Sequence, residues 1–339
     1  MRRVTTDANR TGMKPNILVT GGAGYIGSHA VLALRDAGYD VTVLDSLVTG
    51  FRHAVPENVP FVQADIADRE TVGRVLAERE IGAILHFAAS LLVEESMRDP
   101  LKYWRNNVWG TAALLEAAVA GGVRHVVFSS TAAVYGMPEE LPVAEDAPTR
   151  PINPYGRSKL AVEAMLGDVS AAFPLNHAVL RYFNVAGADP QGRAGQNNTN
   201  ATHLIHVASE AATGRRDQVF VNGDDYPTPD GTCVRDYIHV TDLAEAHVLA
   251  LEALVEAPDE NLRLNVGYGR GFSVREILDA VDRVAGAPVR RVAAPRRAGD
   301  PPRLVAGVDA IRTRIRWTPR LDDLDGIIRS ALDWERSRG

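Results

Sequence analysis

What most constrains this chain is Asn16–Leu34, NILVTGGAGYIGSHAVLAL. Asn16–Thr20 is a short apolar, β-branched run of the kind that forms a buried parallel strand. Gly21, Gly24 and Gly27 follow at three-residue spacing, and a helical apolar pattern starts among them with Tyr25, Ile26, Ala30 and Leu34. A strand that turns through glycines straight into a helix aims the unpaired first-turn N–H groups at one spot, where the helix dipole also favours negative charge. A pyrophosphate suits that spot. The glycines then serve a tight turn, close backbone approach and close helix–strand packing. An ordinary glycine-rich turn has the same triplet; the strand before it and the helix after it select a dinucleotide site.

Downstream, strands and helices alternate. Asp40–Asp45 reads as a second strand ending in an acid, about 20 residues past the glycines, where a carboxylate accepts from the adenosine ribose hydroxyls. Asp45 would repel a 2′-phosphate, which favours NAD over NADP. Phe61–Ile66 reads as a third strand carrying Asp65, Thr71–Arg79 as a helix, and Ala83–Ala88 as a fourth strand. Pro100–Ala120 reads as one long helix with Asn106 and Asn107, Val123–Ser130 as a fifth strand, and Ala178–Phe183 as a sixth. This alternation predicts a parallel, doubly wound sheet with right-handed crossovers and ligands at the carboxyl ends of its strands. Gly21, Asp45, Asp65, Phe87 and Ser130 all fall at those ends. Beyond Asn184 the texture changes to Gly/Asn/Gln loops, a turn cluster at 222–231, helices at Asp242–Glu256, Ser273–Val284 and 322–336, and a strand at Leu262–Val266. It predicts a smaller second domain, mostly loops and helices, closing over the strand ends. The expected division is 13–184 for the dinucleotide domain, with a return to it around 235–265, and 185–339 for the second.

With 339 residues the chain is long enough for two domains sharing a cleft. The net charge of −6, with both signs interspersed, gives neither a nucleic-acid face nor a polybasic membrane segment. Cys233 is the single cysteine, which rules out an internal disulfide and fits a reducing compartment. No apolar run approaches the roughly 20 residues needed to cross a bilayer. Residues 1–12 lack the apolar core of a signal peptide and read as a disordered extension, with Met13 an alternative start. The cytoplasm is the expected location, and no metal cluster is expected.

Tyr155-Gly-Arg-Ser-Lys159 is the second informative stretch. On a helix, residues at i and i+4 share a face, so the phenol and the ammonium converge. An adjacent cation would stabilise phenolate and bring the tyrosine pKa down from about 10. Thr131, just past the fifth strand, offers a hydroxyl on the same sheet edge. An exposed tyrosine with a surface lysine is the plainer alternative.

Together these residues resemble the extended short-chain dehydrogenase/reductase superfamily and, within it, the UDP-glucose 4-epimerase family. The resemblance is carried by TGGAGYIGSH (Thr20–His29), Asp45, HFAA (His86–Ala89), NNVWGT (Asn106–Thr111), FSSTAAVYG (Phe128–Gly136) and PYGRSK (Pro154–Lys159). It continues through RYFN (Arg181–Asn184), DYPTPDGTCVRDYIHV (Asp225–Val240) and PRRAGDPP (Pro295–Pro302), covering nearly the whole chain. It implies a Rossmann-type doubly wound α/β fold with a smaller C-terminal α/β substrate domain, tightly bound NAD, and a UDP-hexose substrate. In that chemistry Tyr155 takes the sugar 4′-hydroxyl proton while C4′ passes hydride to NAD, and the 4-keto sugar turns over and is reduced on its other face. Lys159 and Thr131 complete the catalytic set. The implied cofactor contacts are Gly21, Gly24, Tyr25, Ile26, Gly27, Asp45, Ser46, Asp65, Ile66, Phe87, Ala88, Ala89, Asn106 and Phe183, besides the catalytic three. The implied substrate contacts are Asn184, His203, Leu204, Arg235, Arg297 and Asp300, with Thr131 and Tyr155. Family members commonly form homodimers through two helices per subunit, for which Pro100–Ala120 and Ser158–Phe173 are the candidates.

Several positions depart from the family pattern: Leu91 replaces a lysine, Ser46 an asparagine, and His203 an amide near the diphosphate. Asn222 replaces an aromatic at uracil, and Leu304 replaces a bulky tyrosine that narrows the sugar pocket, which opens the pocket to an N-acetyl group. A 4,6-dehydratase is disfavoured because Ala132 and Ala133 stand where its acid/base pair follows the threonine. A UDP-pentose epimerase, a UDP-sugar decarboxylase and a non-catalytic NAD-binding protein stay open.

Overall fold

The computed structural model describes residues 14–197, 202–297 and 299–338; the expected extension over 1–12, with Met13, lies outside the described residues. Its first half runs β1 (Asn16–Thr20), α1 (Tyr25–Asp36), β2 (Val41–Asp45), β3 (Phe61–Gln63), α2 (Arg69–Glu78), β4 (Ile81–His86), α3 (Val93–Arg98), α4 (Pro100–Tyr103), α5 (Gly110–Ala120), β5 (His125–Thr131), α6 (Pro154–Ala172) and β6 (Asn176–Tyr182). The second half runs β7 (Asn184–Ala186), α7 (Leu204–Ala212), β8 (Val219–Asn222), β9 (Val234–His239), α8 (Val240–Glu256), β10 (Leu262–Val266), β11 (Gly271–Ser273), α9 (Val274–Ala285), β12 (Arg291–Ala294), β13 (Arg303–Leu304), α10 (Asp309–Arg314) and α11 (Leu324–Ser337).

Seven parallel strands form the central sheet in the order β10-β6-β5-β4-β1-β2-β3. The order reverses between β1 and β4, which is where such sheets open a crevice. Both faces are covered, and β1 shows why Ile17–Val19 is an unbroken apolar run. Ile17 and Val19 join one core with Val31 and Leu34 of α1 and Leu243, Ala250 and Leu254 of α8. Leu18 joins the other with Val75 of α2, Leu114 of α5, and Val162 and Leu166 of α6. A strand buried on both faces cannot alternate with polar residues.

The second half is richer in strands than expected. One four-stranded sheet joins β7, β9, β11 and β13, and β8 pairs with β12. Apart from the six-residue β9, these strands are too short to carry a period of their own. Against them pack α7, α9 and α11, which also contact one another. The helix α9 opens with a capping box, Ser273 and Glu276 bonding reciprocally.

Two expected elements differ. Pro100–Ala120 is not one regular helix: Trp104–Trp109 between α4 and α5 is π-helical. The third strand stops at Gln63, because its partner β2 ends at Asp45 and the ladder with it. Asp65 therefore lies exposed in the following turn, where Oδ1 accepts from Ala67 N at 2.8 Å.

Candidate active site

The glycine turn sits at the centre of the sheet's carboxyl edge. Gly21 N donates to Leu44 O at 2.9 Å. Gly21 has φ +73°, and a Cβ at this position would fall 2.5 Å from Ala88 N. A side chain is excluded there by conformation and by space. A Cβ on Gly27 would lie 2.1 Å from Gly21 O, so the first turn of α1 lies directly on the strand exit. Gly24 is the N-cap of α1, and neither a capping side chain nor an acidic residue occupies the first turn. The helix thus offers unneutralised N–H groups, the donor set an anionic pyrophosphate takes.

Asp45 ends β2 only 7% exposed; Oδ2 accepts from Ala23 N at 2.9 Å and Oδ1 from Leu47 N at 2.8 Å. A carboxylate held at that spot suits ribose hydroxyls. Ser46 follows it, exposed, and Ile66 is buried beyond the exposed Asp65. Phe87, Ala88 and Ala89 leave β4 partly exposed, with Phe87 N donating to Thr20 O at 2.9 Å. Phe183 leaves β6 buried. The turn, the ribose-side acid and this floor form one continuous edge, and the residues present fit NAD.

Thr131 is the last residue of β5 rather than the first beyond it. Opposite it, α6 starts with Asn153 capping Gly156 N at 2.8 Å and Pro154 in its first turn. That start aligns Tyr155 and Lys159 one turn apart, 8% and 3% exposed. Lys159 Nζ donates to Ser129 O at 2.8 Å and lies 4.8 Å from the Phe128 ring centroid. Tyr155 meets Tyr103 edge-on at 6.3 Å, and the Thr131 hydroxyl, which accepts from Ala133 N at 3.2 Å, is near enough to influence its titration.

The electrostatics correct one expectation. Burial raises the Tyr155 pKa well above its ordinary value of 10, Tyr182 and Tyr103 push the same way, and Thr131 alone pulls it down. Burial also lowers Lys159 to about 7, against the opposing pull of Glu163. Burial thus favours the neutral form of both the phenol and the amine. Tyr155 and Lys159 are one helical turn apart as their spacing predicts, but the burial of each outweighs the expected stabilisation of phenolate.

Two further residues build this site beyond those expected from sequence. On the π-helical stretch, Asn107 accepts from Ser90 N (2.8 Å) and donates to Ser90 O (3.0 Å) and Ser158 Oγ (3.0 Å). Asn106 Nδ2 reaches Ser90 Oγ at 3.1 Å. Adjacent asparagines thus both hold the segment leaving β4. The signal for Asn107 is the doubled amide inside an otherwise apolar helix. His86 bridges Thr20 Oγ1 (2.7 Å) and Thr111 Oγ1 (2.9 Å) beneath the floor, and burial holds its pKa at about 3.

The residues expected at the nucleotide sugar fall into three groups. Leu304 stands opposite Arg235 in the β13–β9 pair, and Asn184 stands opposite Tyr237, two residues further along β9. By strand alternation Asn184, Arg235 and Leu304 project from one face. Asp300 Oδ1 lies 3.7 Å from Arg235 Nη2. Arg297 is exposed; with the Asn222 amide turned to satisfy both groups, its oxygen accepts from Arg297 Nη2 at 3.2 Å and Nε at 3.3 Å. His203 is the N-cap of α7 and Leu204 its first residue; His203 Nδ1 meets Gln196 Nε2 at 2.8 Å. The segment before them ties back to the cofactor side, where Tyr25 donates to Gly187 O at 2.6 Å and Arg193 bonds Asp36 at 3.0 Å.

The profile of the NAD dependent epimerase/dehydratase family matches residues 17–267. The chain is 55% identical over 329 residues to the UDP-glucose 4-epimerase of Azospirillum brasilense, covering 97% of this chain and 94% of that one. It is similar to the crystal structure of UDP-glucose 4-epimerase from Brucella ovis in complex with NAD, at 48% identity and a TM-score of 0.91, covering 94% and 98% of the two chains. It is also similar to the UDP-Glc/GlcNAc 4-epimerase of Campylobacter jejuni, at 46% identity and a TM-score of 0.83, covering 96% and 100%.

Proposed function

The chain belongs to the NAD dependent epimerase/dehydratase family, and we propose that Tyr155, Lys159 and Thr131 carry the proton transfers of its reaction. That reaction is the NAD-dependent interconversion of UDP-glucose and UDP-galactose at the sugar C4′. The observation that carries the residue assignment is the buried Tyr155–Lys159 turn, set beside Thr131 on the edge that bears the glycine turn. Bound NAD supplies the acceptor and then the donor of the two electrons at C4′, so no outside oxidant is needed.

Gly21, Gly24 and the first-turn N–H groups of Tyr25, Ile26 and Gly27 would hold the NAD pyrophosphate, and Asp45 with Ser46 the adenosine ribose. Asp65, Ile66, Phe87, Ala88, Ala89, Asn106 and Phe183 line the rest of its course. Tyr155 removes the 4′-hydroxyl proton and returns it after the sugar has turned. Burial favours the neutral form of both groups, so positive charge seated beside Tyr155 would shift the phenol toward phenolate. Thr131, at the end of β5 beside the phenol, shares the same sugar oxygen. Arg235 and Arg297 take the diphosphate oxygens, for which guanidinium is suited. Ala132 and Ala133 after Thr131 form a short 3₁₀ turn without a carboxylate, which disfavours elimination of water.

A second reading is favoured by Leu304: beside Arg235 it leaves more room than a tyrosine, so the site accepts N-acetylated sugars as well. One experiment tests both readings. Purified protein is incubated with UDP-galactose and with UDP-GalNAc, without added NAD, and products are separated by chromatography. UDP-glucose is the expected product of the first. A protein carrying bound NAD yet leaving UDP-galactose unchanged would overturn the activity, and a large loss with UDP-GalNAc alone would overturn only the wider pocket.

A further inference from the structure

The last turn of α11 carries buried chemistry that the reaction above does not use. Glu335 is 1% exposed, and its Oε1 lies 3.3 Å from His206 Nδ1 and 3.2 Å from Arg338 Nη1. Its Oε2 lies 3.6 Å from Arg215 Nε. Burial pushes the Glu335 carboxyl up, but His206, Arg338 and Arg215 outweigh it and leave the pKa lowered. The carboxylate is therefore a fixed anchor for Arg338.

Arg338 then reaches outward to the segment that follows β7. Its Nη1 donates to Gln196 O at 3.2 Å and its Nη2 to Asn197 O at 3.3 Å. Trp334 Nε1 donates to the same Gln196 O at 3.3 Å. The Trp334 ring also fills the place of a side chain at Gly195, where a Cβ would lie 2.3 Å from the indole. Gln196 and Asn197 are buried, so their carbonyls need partners, and α11 provides them. The Gln196 side chain in turn meets His203 at the start of α7.

We propose that Trp334 and Arg338 are positioning residues for substrate: through the carbonyls of Gln196 and Asn197 they set the pose of His203 and Leu204, and so the affinity for the nucleotide diphosphate. This rests on the substrate reading given above. The ring of contacts runs from the carboxyl end of the chain to the binding face without touching the catalytic tyrosine. Its effect therefore falls on binding rather than on the chemical step.

The test uses the NAD-loaded full chain with Arg338→Ala, Arg338→Lys and Trp334→Phe, the last keeping the ring against Gly195 but lacking the N–H. KM for UDP-galactose and Kd for UDP by calorimetry should both rise about ten-fold in Arg338→Ala, the scale of losing two hydrogen bonds. Arg338→Lys should recover part of this, and Trp334→Phe should show a smaller rise of about three-fold, the scale of losing one hydrogen bond. NAD content and kcat should stay near wild type, while the melting midpoint of Arg338→Ala falls by a few degrees with its buried hydrogen bonds. An Arg338→Ala protein with unchanged KM and Kd, or one whose kcat and midpoint fall while KM holds, would overturn the inference alone. Wild-type protein that neither binds UDP nor turns over UDP-galactose would overturn the substrate reading and this inference with it.

Discussion

Tyr155 shows how much a single side chain depends on what surrounds it. Its place in sequence, four residues before Lys159 at the head of a helix, announces that the two residues lie one turn apart. Its protonation state is not announced, because desolvation is a property of the packed site and not of the spacing. Tyr155→Phe keeps the ring that packs on Tyr103 and removes only the hydroxyl. The expected result is full NAD content, an unchanged melting midpoint, and turnover lower by about a thousand-fold, the scale of losing a positioned acid/base group. Turnover within about ten-fold of wild type in a stopped assay of UDP-galactose conversion would remove Tyr155 from that role.

At the scale of elements, the strand–glycine–helix unit tolerates least. Gly27→Ala places a methyl 2.1 Å from Gly21 O, so the turn must open or α1 must shift along β1. Overpacking of this kind costs about 1–3 kcal/mol. The expected outcome is a lower melting midpoint together with loss of co-purifying NAD, read by absorbance after denaturation; a variant with full NAD content would contradict it. This unit is also the most legible part of the chain. Its limits are marked by the apolar, β-branched run before the glycines and by the helical apolar pattern after them. The π-helical stretch is not legible, since Trp104–Trp109 changes the hydrogen-bond period of its neighbours with no Gly or Pro inside it to mark the break. Nor are β7, β11, β12 and β13, at four residues or fewer, because such strands exist only through their partners. The site divides the same way. Residues in local motifs, such as Gly21, Asp45 and Lys159, can be named in advance, whereas the grip of Asn107 on Ser90 spans 17 positions and belongs to the tertiary fold.

For the whole molecule, buried histidines set the response to acid. Burial lowers His29, His177, His203, His239 and His247 to about 4 and His86 to about 3. Below their ordinary value of about 6.5 the unfolded chain binds protons that the native chain refuses. Stability is then complete above pH 6.5 and is lost as pH falls toward 4, by up to about 1.4 kcal/mol per histidine per pH unit. The melting midpoint should drop steeply between about pH 6.5 and 5 in calorimetry, and a flat midpoint over that range would refute the reading. Association is the other property at this scale. Met97, Leu101, Trp104 and Trp109 are 50, 68, 41 and 56% exposed along α3, α4 and the π-helical stretch. Apolar side chains grouped in this way suit a second copy of the chain. A homodimer is the expected mass by light scattering, and Trp104→Glu with Leu101→Glu should yield monomer.

The seating of β10 against β6 has a consequence for synthesis. When the ribosome has released the first six strands, β6 is still a bare edge, and the face that α8 will cover is open to water. Residues 183–261 separate the end of β6 from the start of β10, and their closure entropy must be met before that edge is sealed. A nascent chain of this protein therefore passes through a state with an unpaired apolar strand, the kind of surface that recruits chaperones or aggregates. Late codons, not early ones, decide when the cofactor half becomes safe.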